Sequence, residues 1–68
     1  MFRLKFLRLE RGLSQRQLAA QADVLQADLS RIESGRSIPK STELTALGAI
    51  LDCAPDRLMD VVSAEVSL

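Results

Sequence analysis

The chain has no histidine, tryptophan or tyrosine, and only one cysteine, two prolines and three glycines among 68 residues. A single cysteine excludes an internal disulfide, and without histidine or a second thiol there is no zinc framework. Two phenylalanines are the whole aromatic content, so the interior has to be built from Leu, Ile, Val and Ala. No apolar run approaches the roughly 18 residues of a membrane span. The opening residues, Met1-Phe2-Arg3-Leu4-Lys5-Phe6, alternate basic and apolar side chains and lack the apolar stretch of a signal peptide. The expectation is a cytoplasmic protein in a reducing compartment, with no membrane partner and no cofactor. Catalysis is excluded by what is missing: histidine, a metal cluster, a glycine-rich phosphate loop, and any nucleophile beside a base. No small-molecule ligand is inferred either, because the chain is too short to hold an effector domain as well.

What remains is helix-forming material. The composition is 47% hydrophobic, rich in Leu, Ala, Arg and Gln and poor in β-branched runs, which favours helix over sheet. Residues 1–68 read as a single domain, near the small end of what folds alone, so stability rests on helix packing and on a partner subunit. The opening Met1 and the lack of a C-terminal linker are expected of a complete small protein rather than a piece of a longer regulator.

The formal net charge is zero, but the charges are segregated. Residues 1–42 carry eight basic side chains against four acidic ones, whereas residues 43–68 carry only Arg57 against five acids. A basic front suits phosphate and an acidic rear suits water. A mixed solvated surface accounts for the charges equally well.

Turn signals at Gly12, Ala22-Asp23-Val24, Ser34 to Pro39 and Asp52 to Pro55 divide the chain into five short helices. The first spans about Arg3 to Arg11, with Phe2, Phe6 and Leu9 at helical spacing and Leu4 and Leu7 beside them. Gly12 offers it a left-handed C-cap. Ser14 followed by Gln17 is a capping box, flanked by Leu13 and Leu18 at staple positions, and it starts a second helix over about Gln15 to Gln21. A third helix covers about Gln26 to Glu33, with Leu29 and Ile32 inward. A fourth runs from about Thr42 to Leu51, with Leu44, Leu47, Gly48 and Leu51 on one face. Pro55 and Asp56 suit the first turn of a fifth helix that carries Leu58, Val61 and Val62 inward. Cys53 is expected in a small apolar site between the last two helices.

Two short helices joined by a three-residue turn, with an apolar lock on each side, make a helix-turn-helix. It occupies about residues 15–34, read QRQLAAQADVLQADLSRIES. Leu18 and Ala22 face the core, small Ala19 lets the helices cross closely, Val24 fills the turn, and Leu29 and Ile32 anchor the second helix. From Leu7 to Leu58 the chain resembles the lambda-repressor-like (Cro/repressor, XRE-type) helix-turn-helix regulators. The resemblance rests on Arg8, Gly12-Leu13-Ser14-Gln15, Leu18-Ala19, Ile32-Glu33-Ser34-Gly35, Pro39, and Leu51 to Leu58.

The resemblance implies a compact, all-α, five-helix domain whose third helix enters the DNA major groove. It implies base reading by Gln26, Ala27 and Arg31. Glutamine suits adenine, arginine suits guanine, and an alanine methyl suits thymine. Ser14 and Gln15 are expected to meet phosphate at a helix start, and Ser34, Arg36 and Lys40 to form a second backbone clamp. Lys5 and Arg16 read as ordinary solvated charges. Arg8 and Glu33 match a family ion pair that holds the recognition helix at its docking angle. Family members often dimerise through the last helix, which makes residues 55–68, with Val62, Val66 and Leu68, the candidate dimer interface; the alternative is a frayed terminus. Two copies place recognition helices in successive major grooves about 34–36 Å apart, on a near-palindromic operator. Such a protein is a repressor-like homodimer, bacterial or phage-encoded and on the nucleoid when bound.

Three residues depart from the pattern. Leu25 stands where the family has a serine or threonine cap, a loss on the order of 1 kcal/mol; its apolar side chain is open to DNA or to a protein partner. Asp23 takes the turn position that the family gives to glycine. Asp28, in the first turn of the third helix, either pairs with Arg31 three residues on or accepts a hydrogen bond from a cytosine amino group, and the pairing is favoured. With the zero net charge, Leu25 and Asp28 keep an alternative open: a helix-turn-helix protein-interaction module, antitoxin-like or anti-repressor-like, with weak or no DNA binding.

Overall fold

The computed structural model describes residues 1–63. Within them run four α-helices, α1 (Arg3–Glu10), α2 (Gln15–Ala22), α3 (Gln26–Glu33) and α4 (Ser41–Leu51), followed by a single 3-10 turn at Pro55–Arg57. No helix among them is long and apolar enough to cross a membrane.

The helix boundaries have local causes. At the start of α2 the capping box closes in both directions: Gln17 N donates to Ser14 Oγ at 3.0 Å, and Ser14 N donates to Gln17 Oε1 at 2.8 Å. These bonds satisfy two orphan donors, and such a cap typically contributes about 1 kcal/mol. Asp23 ends α2 and Asp52 ends α4, both left-handed, with φ of 58° and 55°. Aspartate enters that region more cheaply than most residues, which is how two helices stop without glycine. Lys40, before α4, has no acceptor in its side chain, so only half a box forms there, from Lys40 N to Glu43 Oε1 at 2.8 Å.

Every helix contributes to one aliphatic core. Leu4, Leu18, Leu29, Ile32, Leu47, Leu51 and Leu58 are fully buried, joined by Ala19 and Ala22. Burying each of the large side chains contributes roughly 1.5–3 kcal/mol. Gly48 lies where the chain doubles back beyond α4. A Cβ there would sit 2.5 Å from the Cys53 carbonyl oxygen, while Cys53 N donates to Gly48 O at 3.0 Å. Cys53 itself is half-buried, packed against the core. Arg11 reaches across from the end of α1 to donate to Leu51 O at 3.0 Å, satisfying a terminal carbonyl of α4.

Two expectations are corrected. The first is the fifth helix. Pro55 does open a turn, and Leu58 is fully buried, but Val61 is 76% exposed and Val62 half-buried. The reason lies at the other terminus. Phe2 caps α1 without a side-chain acceptor, so the first amides of α1 need partners. Arg3 N donates to Asp60 O at 2.7 Å and Leu4 N to Leu58 O at 2.8 Å. With Asp60 and Leu58 engaged in this way, the chain extends alongside Met1–Phe2, and Phe2 and Val61 face each other in an antiparallel bridge. Val62 N donates to Met1 O at 2.8 Å, and the Met1 ammonium donates to Val62 O at 3.1 Å. The second correction concerns α1. Its inward residues are Leu4 and Arg8, while Leu9 is 50% exposed and Phe6 only half-buried. A charged residue holds a core position, which hydrophobic spacing does not register.

Candidate nucleic-acid interface

Helices α2 and α3 are joined by Asp23-Val24-Leu25. The left-handed Asp23 turns the chain, Val24 N donates back to Ala19 O at 3.0 Å, and the Val24 side chain packs against the core. Helix α3 then buries Leu29, Ile32 and Glu33 and exposes Gln26, Ala27, Ser30, Arg31 and Ser34. The exposed positions recur at helical spacing, so they form one stripe on one face. Among the base-reading candidates, Gln26, Ala27 and Arg31 all lie on that stripe. Leu25 provides no side-chain cap and is 69% exposed at the head of the helix.

The opposite face is held by a buried ion pair. Arg8 Nε donates to Glu33 Oε2 at 2.8 Å and Arg8 Nη2 to Glu33 Oε1 at 3.0 Å, with both residues 7% exposed. Arg8 Nη1 also donates to Leu13 O at 2.8 Å, and Gln15 Nε2 donates to Glu33 Oε1 at 3.1 Å. One carboxylate thus gathers α1, the start of α2 and the end of α3. Buried charges are tolerated only with such complete pairing.

This network alters the position of Gln15. The sequence assigns it to phosphate, yet one N–H of its amide is bonded to Glu33, which leaves its backbone N–H and the second amide N–H as donors. Ser14 is exposed, but its oxygen already caps Gln17 N. The Gln15–Glu33 bond has no signal in the sequence, because the two residues lie 18 positions apart.

After α3 the chain hooks back over its last turn. The Arg31 carbonyl accepts from Arg36 N at 2.8 Å, Ser37 N at 3.3 Å and Ser34 Oγ at 3.1 Å. The hook carries the exposed Arg36 and Lys40 beyond Ser34, the last residue of the exposed stripe. Ile38 between them is 95% exposed. On α3 itself, Arg31 Nη2 donates to Asp28 Oδ1 at 2.5 Å. The intrahelical pair expected from the i, i+3 spacing is present, and it engages a residue assigned to base reading.

Away from this face, Arg57 Nε donates to Asp60 Oδ2 at 2.7 Å, and that hydrogen bond raises the Arg57 pKa above its ordinary value. Of the candidate dimer residues, Val62 is half-buried beside Met1, whereas Val66 and Leu68 lie outside the described residues. Among the described residues no group of three or more Cys, Asp or Glu side chains is placed to hold a metal ion.

Chemically, the stripe offers an amide, a methyl, hydroxyls and a guanidinium, flanked by two cations on a hooked loop. Residues 2–61 match a family model described as a helix-turn-helix domain. Among solved structures, the chain is similar to the SinR protein–SinI protein complex, with 31% identity over 96% of this chain and 68% of that one, at a TM-score of 0.80. It is also similar to the N-terminal DNA-binding domain of SinR, the master biofilm regulator of Bacillus subtilis. There the identity is 34% over 93% of this chain and 94% of that one, at a TM-score of 0.76. No curated protein matches the chain.

Proposed function

The chain belongs to the helix-turn-helix domain family, in its lambda-repressor-like branch, and from that premise we propose that it is a sequence-specific, double-stranded-DNA-binding transcriptional regulator. One observation carries the reading. Helix α3 is fastened on one side by Leu29, Ile32 and Glu33, and presents Gln26, Ala27, Ser30 and Arg31 on the other. A rigid helix with a solvent-facing polar stripe is what major-groove reading requires. The similar SinR domain is itself described as DNA-binding.

In this reading Gln26, Ala27 and Arg31 meet base edges. Ser34, Arg36 and Lys40 meet phosphate, together with the hydroxyl of Ser14 and the backbone amide of Gln15. Arg8 and Glu33 hold the helix at its docking angle. Residues 1–68 act as one unit, and two copies bind a near-palindromic operator as a repressor-like homodimer. The segment 55–68, with Val62, Val66 and Leu68, supplies the contact between copies. Occupancy of a promoter then obstructs polymerase.

The test is selection of bound duplexes from a random pool, followed by anisotropy titration at several salt concentrations beside Arg31→Ala. The expected result is a near-palindrome, an affinity that falls steeply with salt, and loss of enrichment in the variant. Absence of binding even at low salt overturns the proposal.

A second reading, a protein-docking module, draws on Leu25 and Ile38, both strongly exposed, and on the SinR–SinI complex among similar structures. Its mark is a chain that binds no DNA at low salt yet takes up a protein partner through Leu25 and Ile38.

A further inference from the structure

We propose that Asp28 is a positioning residue for sequence reading: its carboxylate orients the Arg31 guanidinium and narrows the base pairs that Arg31 accepts. The inference rests on the reading of α3 as a base-reading helix.

Asp28 lies in the first turn of α3 and Arg31 one turn later, with Asp28 Oδ1 2.5 Å from Arg31 Nη2. The Arg31 side chain is 51% exposed and that of Asp28 37%. The pair therefore lies at the surface that would meet DNA, not beneath it. Asp28 is the less exposed partner. It lines a shallow groove with Ile32, Ile38, Lys40 and Glu43, at the junction of α3 with the loop before α4. Its carboxylate accepts from Arg31 on its own helix, and Lys40 and Glu43 are the other charged residues lining the groove.

A guanidinium has five donors in a rigid fork, and recognition of guanine uses two of them in parallel. Binding one donor to Asp28 leaves the rest of the fork free and limits the directions it can point. A long, otherwise mobile side chain then enters the groove already oriented, and less of its freedom is lost on binding. The same carboxylate repels phosphate, which lowers affinity for sites where Arg31 finds no matching base.

The magnitudes separate this role from a structural one. An exposed i, i+3 ion pair contributes little to folding. Once DNA displaces water, the same pair sits in a medium where its attraction is stronger. Removing Asp28 is therefore expected to alter specificity far more than stability.

The experiment is selection from a random duplex pool by the full chain and its Asp28→Ala, Asp28→Asn, Asp28→Glu and Arg31→Ala variants, with unfolding midpoints measured in parallel. Asp28→Ala and Asp28→Asn are expected to unfold with the parent chain and to bind unrelated duplex three- to tenfold more tightly. They should lose at least tenfold in preference at one base pair per half-site, the same pair whose preference disappears in Arg31→Ala. Asp28→Glu is expected to restore part of that preference. An unchanged preference at the Arg31 base pair overturns the inference while leaving the proposed function intact. Loss at a different base pair also overturns it, because Asp28 would then be reading a base directly. A parent chain that enriches no sequence overturns both.

Discussion

Arg8 of α1 and Glu33, the last residue of α3, lie 25 positions apart and meet through two parallel hydrogen bonds of 2.8 and 3.0 Å, largely hidden from water. The two-pronged geometry fixes both distance and angle between the helices, which a single contact would not. Gln15 and the Leu13 carbonyl complete the set, so neither charge is left bare.

Removing one partner alone should be severe. Glu33→Ala is expected to cost about 3–5 kcal/mol, because Arg8 stays buried without a counter-charge. The paired change Arg8→Met with Glu33→Leu should be close to neutral or stabilising, since it removes both desolvated charges together. Urea unfolding of the two variants beside the parent chain measures the contrast; equal losses in both would contradict it.

Gly48 is a second sensitive point. Gly48→Ala places a methyl within 2.5 Å of the Cys53 carbonyl oxygen, so the turn after α4 has to shift. The expected cost is about 1–3 kcal/mol, the usual range for overpacking. A thermal melt decides it, and an unchanged midpoint would mean that the Cys53–Pro55 turn yields without penalty.

Leu25 invites a gain. It occupies the N-cap of α3 without a capping bond and is 69% exposed. Leu25→Ser should stabilise the chain by about 1 kcal/mol by adding an acceptor for a first-turn amide. For a domain of this size such a gain raises the melting temperature by roughly 4–8 °C. A fall instead would show that Leu25 makes stabilising contacts despite its exposure.

The pairing of the two termini is also open to test. Removal of residues 60–68 deletes the acceptor of Arg3 N and the bonds between Met1 and Val62. Each lost bond is expected to cost about 1 kcal/mol. The Arg3 amide should exchange faster with solvent, while amides in α3 keep relative protection. Unaltered exchange at Arg3 would mean that another acceptor replaces Asp60.

For the proposed DNA contacts, Arg36→Ala and Lys40→Ala should weaken binding about equally across sequences and lower the salt slope by about 1 each. Arg31→Ala should instead relax discrimination at one base pair by about 1–3 kcal/mol. Titrations on matched and mismatched duplexes over a salt series separate the two behaviours.

Much of the fold is legible in the amino-acid sequence. The span of α3 matches its expected limits, and the boundaries of α2 and α4 differ from expectation by one residue. Ser14, Gln17 and Asp23 act within one or two turns of themselves, and Leu18, Leu29 and Ile32 show as apolar positions at helical spacing within their own segments. Asp28 with Arg31 was legible for the same reason, being one helical turn apart. The inward set of α1 was not, because hydrophobic spacing weighs Leu9 above Arg8, whereas a paired arginine can hold a core position that an unpaired one cannot.

Local chemistry therefore determined where the helices of this protein start, stop and turn, and which face of α3 is polar, since capping and periodicity operate over a few residues. Tertiary structure decided the rest: Gln15 joining the Arg8–Glu33 pair that the family resemblance implied, Arg11 capping Leu51, and Asp60 and Leu58 accepting from α1 where a fifth helix was expected. In each case a donor or acceptor left unsatisfied by its own segment found its partner 18 to 57 positions away, and burial made that partner obligatory.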